Sequence, residues 1–481
     1  MLFPTIAFAV FFLVAFTANW VLRPTYRVWL WVMTALSFFF YGYSDPRFVG
    51  LLAASILVSW LFGEAVWRSL DEDGQRTPTS INLVRAGVVV NLAFLGSFKY
   101  FDFFTTGFAD ATDALGLHVS PPVLEIALPI GISFFTFHAI SYVVDIGRGD
   151  IDPLHLDEMA LYMSFFPHLV AGPIVRASEF APQMRRRPDP RHVESGEAFR
   201  LIAFGLFKKV VVSSYLATAL VDPVFGSPAA HGPFDLLVGV YAYAIQIYAD
   251  FSGYTDIAIG CALLLGIRFP QNFDSPYRAL SLQDFWRRWH MTLSRWLRDY
   301  LYIPLGGSRD GVRRTYRNLA LTMVIGGLWH GAAITFLVWG AIHGGALVAS
   351  RVVRERWHER HATPVLPAAV TPVLQWLLTF HIVCLAWIFF RAESLGNAFD
   401  VLGGIVGVVG AGDATLLTPL LLVVIALSLA SQFVPPTAVQ GAQARFTALG
   451  PAIQVGALAG ALTVIDVLGP DGVAPFIYFR F

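Results

Sequence analysis

Asn318-Leu-Ala-Leu-Thr-Met-Val-Ile-Gly-Gly-Leu-Trp-His330-Gly-Ala-Ala-Ile-Thr-Phe-Leu-Val-Trp-Gly-Ala-Ile-His343-Gly-Gly-Ala-Leu-Val-Ala-Ser350 holds no lysine, arginine, aspartate or glutamate. As one helix it would run about 50 Å, well beyond a hydrocarbon core of ~30 Å. Basic residues flank both ends: Arg313, Arg314 and Arg317 before it, Arg351, Arg354 and Arg356 after it. The expectation is two short helices that return to the same side and break near Gly326–Gly331, with His330 at the bend. An ionisable side chain in hydrocarbon is expensive, which makes His330 a functional-site hypothesis by default. The glycines around it let backbone approach closely and let the helix break. Two readings stand together: a catalytic histidine lowered into the membrane, and a histidine hydrogen-bonded between packed helices. His343 lies thirteen residues on in the same run.

The whole chain has this character. Of its 481 residues 56% are hydrophobic and 14% charged, and its mean hydropathy is +0.61. Soluble domains carry about 25% charged residues, so this chain is short of solvent-facing surface. Aromatics reach 15%, with 41 Phe and 13 Trp, a composition suited to lipid-facing surfaces and interfacial belts. Repeated apolar stretches then define an all-α, polytopic membrane protein. A single membrane-embedded domain over residues 1–481 is expected, with N-terminal helices in 1–150, a core in 151–350 and C-terminal helices in 351–481. A net charge of zero argues against a nucleic-acid partner. Cys261 and Cys384 are the two cysteines; they exclude a disulfide scaffold and a CxxC metal site. Met1–Trp20 is apolar and has no basic n-region, so it reads as a retained first span.

The candidate spans are Leu2–Leu22, Val28–Tyr43, Phe48–Trp67, Arg85–Phe104, Ile126–Ile146, Gly196–Leu220 and Phe234–Ile267. After the Asn318–Ser350 stretch come Val373–Phe390, Leu416–Val434 and Ala452–Leu468. Together they suggest about ten to twelve crossings, with re-entrant and interfacial helices besides. Arg23, Arg27, Arg68, Arg76 and Arg85 alternate with the connection Thr105–Leu124, which has no Lys or Arg. The arginine-rich loops are therefore expected in the cytoplasm and the N-terminus outside. Met159–Val175, broken by Pro167, Gly172 and Pro173, is too short to span and reads as re-entrant or buried.

Ser281–Leu305 is the most unusual non-spanning segment. Ser281 and Asp284 form a capping box that starts a helix. At 100° per residue Phe285, Trp286, Trp289, Leu293, Trp296, Leu297 and Tyr300 share one arc, and Arg287, Arg288, Arg295 and Arg298 the opposite one. The expectation is an interfacial amphipathic helix, aromatic toward the membrane and arginine outward. His290 falls at the edge of the apolar arc, where a buried structural histidine is the plain alternative.

No nucleophile elbow, P-loop, Rossmann fingerprint or His-Glu-x-x-His occurs. The histidines are too scattered for a zinc site, and neither cysteine has a basic neighbour in sequence. Acid/base chemistry by a buried imidazole remains. A neutral His330 could take a proton from an acceptor hydroxyl as it attacks a thioester carbonyl. Such a site must be open to both faces, to the donor from the cytoplasm and to the acceptor from outside. Asp250 and Asp256 lie in Tyr248-Ala-Asp-Phe-Ser-Gly-Tyr-Thr-Asp256, on different faces of an unbroken helix. They either orient a histidine or hydroxyl, or hydrogen-bond between helices, and the second reading is preferred. Lys208 and Lys209 either snorkel to the cytoplasmic interface or contact an anionic group, and snorkelling is the preferred reading.

These segments together resemble the membrane-bound O-acyltransferase (MBOAT) family, most closely its bacterial alginate O-acetylase branch. The resemblance runs through Pro129-Ile-Gly-Ile-Ser-Phe-Phe-Thr-Phe-His138, Phe166-Pro-His-Leu-Val-Ala-Gly-Pro-Ile174 and Tyr248–Asp256. It continues through Pro270-Gln-Asn-Phe-Asp-Ser-Pro-Tyr277, Phe285-Trp-Arg-Arg-Trp-His-Met-Thr-Leu-Ser294, Trp296–Gly307, Gly327-Leu-Trp-His-Gly331 and the ending Phe476-Ile-Tyr-Phe-Arg-Phe481. It implies that His330 is the catalytic histidine and His290 the second active-site histidine, beside a central funnel. Asp256, Asp250, Asn272, Trp329 and Trp289 are the supporting candidates. It also implies an acyl group, acetyl by this resemblance, moved from acetyl-CoA or another acyl thioester toward an exported polysaccharide. No permanently bound cofactor or metal is expected. A partner of the SGNH-hydrolase type would finish the transfer, outside a bacterial inner membrane that the chain crosses many times. Two rivals stay open: D-alanyl transfer to teichoic acid, and a proton-coupled transporter using the buried histidines as a relay, although no internal repeat of the transporter kind is found. A non-catalytic scaffold is the third.

Overall fold

Proline, glycine and capping hydroxyls decide where the apolar stretches of this chain start and stop as helices. The computed structural model describes residues 1–117, 128–360, 367, 370–408, 416–469 and 477, and among them the regular elements are all helices. Contacts divide the chain into two compact units, Met1–Ala198 with Ala258–Pro270, and Phe199–Ile257 with Gln271–Phe481.

The first unit begins with α1 (Ile6–Leu22), whose N-cap Thr5 accepts a hydrogen bond from the Phe8 amide at 3.2 Å. There follow α2 (Tyr26–Gly42), α3 (Arg47–Arg68), α4 (Pro78–Lys99), α5 (Phe101–Ala114) and α6 (Ile132–Arg148). Pro78 at the first turn and the Thr77–Ser80 capping box set the start of α4, as the missing proline N–H and the orphan helix donors require. The expected span Arg85–Phe104 is thus two helices, with the break at Tyr100. Then come α7 (Leu156–Ser164), α8 (Phe166–Leu169) and α9 (Ala177–Arg185). Met159–Val175 is accordingly short, broken and almost wholly buried, as its prolines and glycine suggest. Arg23 caps α9 by donating to the carbonyls of Gln183, Met184 and Arg186 at 3.1, 3.2 and 2.8 Å. These close three of the orphan acceptors at a helix end.

Two long helices follow, α10 (Ser195–Gly226) and α11 (Pro233–Leu264). In the second unit they are joined by α12 (Leu282–Arg288), α13 (Met291–Leu297), α14 (Val312–His330) and α15 (Ile334–Arg360). After them come α16 (Val370–Arg391), α17 (Leu395–Ile405), α18 (Pro419–Ala430), α19 (Pro436–Thr447) and α20 (Pro451–Leu468). The hairpin expected around His330 is α14 and α15, but its arms are not short. With 19 and 27 residues they run about 28 and 40 Å. The break falls at Gly331–Ala333, at the end of the expected Gly326–Gly331 stretch. Gly327, inside α14, does a different job. A Cβ on Gly327 would strike the Phe336 carbonyl and Gly340, and one on Gly340 would strike Met323. The two backbones touch there, in the close approach that small residues permit between membrane helices.

Five described helices are long and apolar enough to cross a membrane: α3, α4, α10, α15 over Ile334–Arg356, and α16. The pair α18 and α19, bent by 96°, adds one at most. That is fewer than the ten to twelve crossings expected. Helix α1 stops at 17 residues, α14 carries Arg313, Arg314 and Arg317 in its first turns, and α11 carries Asp250 and Asp256 among its apolar residues.

Candidate active site

His330 is the last residue of α14, and Gly331 after it is fully extended. The His330 ring is 3% exposed. Three aromatic rings surround it: Trp329 at 4.8 Å, Trp339 at 5.0 Å and Phe390 at 5.1 Å, all steeply inclined to it. A helix C-terminus is suited to a positive charge that develops on this ring.

The segment that carries His290 is not one amphipathic helix. Ser281 does cap its start, accepting from the Asp284 amide at 3.1 Å, but α12 ends at Arg288 and α13 starts at Met291. His290 sits between them at φ 41°, in the left-handed region that a residue with a Cβ rarely adopts. Asn272 holds this kink. Its backbone carbonyl accepts from the Met291 amide at 2.9 Å, and its side-chain oxygen accepts from the Thr292 amide at 3.2 Å and the Thr292 hydroxyl at 2.9 Å. The same oxygen lies 3.2 Å from His290 Nδ1. Because a backbone N–H can only donate, that Asn272 atom must be the oxygen, so His290 Nδ1 must carry the proton. His290 Nε2 is therefore a bare lone pair, with no hydrogen-bond partner among the described residues. Burial pushes its pKa down to about 3, so the ring is neutral.

The aromatic arc of this segment faces protein, not lipid. Phe285, Trp289, Leu293, Trp296 and Leu297 are all buried within the chain itself. Trp289 packs on Phe285, Phe273 and Trp387 at 5.6, 5.0 and 5.0 Å. Hydrophobic periodicity marks a buried face without saying what buries it.

Trp329 lies between the two histidines, 6.2 Å from the His290 ring and 4.8 Å from that of His330. Of the supporting candidates, Asn272 and Trp329 thus touch a histidine, whereas Trp289 builds the wall behind them. Asp250 and Asp256 are ion-paired: Lys209 bonds Asp250, and Lys208 lies 2.5 Å from Asp256. The expected snorkelling of these lysines gives way to pairing. The Lys209–Asp250 pair is buried, at 1% and 3% side-chain exposure. Gly253 lies within the continuous helix α11 and lets α10 come against it at Gly205.

A cavity of about 490 Å³ lies at the hairpin bend, walled by Gly331, Thr335, Phe336, Arg391 and the Lys209–Asp250 pair. It reaches the residue directly after His330. Sequence reasoning missed Trp339, Phe390 and Arg391; it singled out Lys209 as a charge within an apolar stretch but preferred snorkelling to pairing. Of the ending Phe476–Phe481, only Ile477 lies among the described residues; its amide donates to Asp250 at 2.8 Å. Among the described residues no group of three or more histidine, cysteine, aspartate or glutamate side chains could hold a metal ion.

An all-helical chain with membrane-crossing helices and two buried histidines around one tryptophan calls for comparison with known proteins. The chain belongs to the membrane-bound O-acyltransferase family, whose model matches residues 133–390. It is a multi-pass membrane O-acyltransferase. It is 39% identical over 407 residues to the "Probable alginate O-acetylase AlgI" of Azotobacter vinelandii, covering 83% of this chain and 77% of that protein. The protein of the same description from Pseudomonas aeruginosa is 41% identical over 367 residues, 76% of this chain and 67% of the relative. The peptidoglycan O-acetyltransferase of Helicobacter pylori is 38% identical over 408 residues, 79% of this chain and 74% of the relative.

Proposed function

We propose that this enzyme moves an acetyl group from a cytoplasmic thioester, acetyl-CoA or a related donor, across a bacterial inner membrane toward hydroxyls of an exported polysaccharide such as alginate. The observation that carries the reading is the position of His330, buried at the bend between α14 and α15 and beside a cavity. The arginine-rich ends of the hairpin belong to the cytoplasm by the excess of positive charge, which leaves the cavity to the outer side and the acceptor.

In this mechanism His330 takes the proton of the acceptor hydroxyl as its oxygen attacks the thioester carbonyl. The tetrahedral intermediate then collapses, the carbon–sulfur bond breaks, and the thiolate recovers the proton from the imidazolium. The helix end stabilises the charge while it lasts. His290, with only a lone pair to offer at Nε2, accepts a hydrogen bond from a substrate O–H or N–H. It is unsuited to polarising the donor carbonyl, which needs a donated proton. A separate acetyltransferase of the SGNH-hydrolase type is the expected partner that completes transfer onto the polysaccharide.

The test is His330→Ala in cells, with membrane insertion verified and ester-linked groups on the exported polysaccharide quantified by mass spectrometry. Loss of acetyl esters is expected, and their mass distinguishes acetyl from D-alanyl. Wild-type acetylation in the variant would end this mechanism.

A further inference from the structure

Three buried polar groups in the second unit have no part in the reaction above. His343 is fully buried, and neither ring nitrogen meets a hydrogen-bond partner among the described residues. The indole N–H groups of Trp286 and Trp339 also lack one there. All three belong to one box. Phe285 lies parallel to the His343 ring at 6.1 Å, and the Trp286 and Trp339 rings stand edge-on to it at 5.1 and 4.8 Å. Buried histidine and tryptophan nitrogens ordinarily find partners. Several orphaned together mark a place where a polar ligand belongs.

We propose that this box is a hydrogen-bonding subsite for the amide-bearing arm of the thioester donor. The inference rests on the proposed thioester chemistry and assigns polar groups, the His343 ring nitrogens and the indole N–H groups of Trp286 and Trp339, that the proton transfer itself does not use. Its position fits. Trp339 touches the His330 ring on one side and His343 on the other. From Trp339 to His343 the helix α15 rises about 6 Å, away from the bend and toward Arg351 and Arg354. A donor whose sulfur lies near His330 carries its first amide only two methylenes from that sulfur. An amide offers one acceptor oxygen and one N–H. The two indole N–H groups match the oxygen, and the bare nitrogen of a neutral His343 matches the N–H. Trp286 is the movable wall: it is partly exposed, while Phe285, Trp339 and His343 are closed off, and it rides on the seven-residue helix α12.

The experiment uses the full-length protein in lipid nanodiscs and compares kcat/KM for two small donors. S-acetyl-N-acetylcysteamine carries the amide; an S-alkyl thioacetate of equal length does not. The wild type is expected to favour the amide-bearing donor at least about tenfold, roughly the worth of one well-made hydrogen bond. His343→Phe, which keeps an aromatic ring in the box, and Trp286→Phe, at the partly exposed wall, should each bring that ratio toward one through KM. A ratio that stays at its wild-type value in both variants, whatever happens to overall rate, assigns these residues a packing role and overturns the subsite. So does a wild type that does not distinguish the donors. Acetyl-CoA and an acetyl carrier protein, run alongside, tell which source supplies the arm. Failure of the underlying reading looks different: no thioester would be turned over, or His330→Ala would turn them over as well as the wild type.

Discussion

Removing one partner of the Lys209–Asp250 pair should cost far more than removing both. In Lys209→Met the side chain stays unbranched, one atom shorter, and loses its charge. The carboxylate of Asp250, 3% exposed, is left with the Ile477 amide at 2.8 Å and the Ser213 hydroxyl at 3.4 Å. Neither carries a positive charge. Breaking a buried ion pair on one side costs about 3–5 kcal/mol, because the remaining charge stays out of water. At about 1.4 kcal/mol per factor of ten, the folded population falls relative to the unfolded by roughly two to three and a half orders of magnitude. In Lys209→Met/Asp250→Asn both charges are gone, and the asparagine oxygen can still accept from Ile477. That variant should return to within about 1–2 kcal/mol of wild type. Lys208→Met is an internal control, since Lys208 and Asp256 are 20% and 24% exposed and such pairs are worth about 0–1 kcal/mol. Denaturant titration in a fixed detergent, followed by tryptophan fluorescence, ranks the four proteins. A double variant no more stable than Lys209→Met, or a Lys208→Met as damaging as Lys209→Met, would refute the reasoning.

Asn272→Leu should release the left-handed kink at His290, since three hydrogen bonds to one oxygen disappear together. A loss of about 2–4 kcal/mol in stability is expected, a few times the worth of one bond, and acyl transfer should fall at least about tenfold; near-normal transfer would detach His290 from the reaction. The carboxyl of Glu158 is subject to burial, which opposes its charge, but the Arg185 and Tyr26 hydrogen bonds outweigh this and hold it below its ordinary range. The stabilisation it provides is therefore complete above the ordinary glutamate range and is lost as pH falls through the lowered value. Glu158→Gln should flatten that acid limb of the melting-temperature profile, and an unchanged limb would show that other carboxylates set it.

What the sequence discloses here depends on the range of the interactions. Flanking arginines and the glycine cluster were enough to anticipate a hairpin with His330 at its bend, because length and charge placement are local properties. The arm lengths were underestimated, since Gly326 and Gly327 looked like breakers, whereas Gly327 serves contact between backbones and Gly326 faces the Leu297 side chain. His290 was visible as an unusual residue, but the kink beneath it was not. Its cause is Asn272, eighteen residues earlier in the chain, and the helical wheel of Ser281–Leu305 runs on undisturbed. The two lysine–aspartate pairs join residues 41 and 48 apart, a distance over which pattern says nothing. The aromatic arc was recognised as a buried face but assigned to lipid, because periodicity carries no information about the covering medium.

The lysine pairs depend on an irregularity in α10. From Phe207 to Ser213 the helix widens to a π turn, and again from Ala217 to Val221. Each such turn accommodates a residue that a regular helix of the same rise would not hold. Lys208 and Lys209 are thus neighbours in sequence that meet carboxylates six residues apart on α11. The wide turns work as a stored phase offset between the two helices. Lys208 and Lys209 lie inside the first of them, so one residue fewer ahead of Lys208 would rotate both by about 100° and set each lysine against the wrong face. In α10 the count of residues, together with their kind, keeps the charge of Lys209 beside the cavity at the bend.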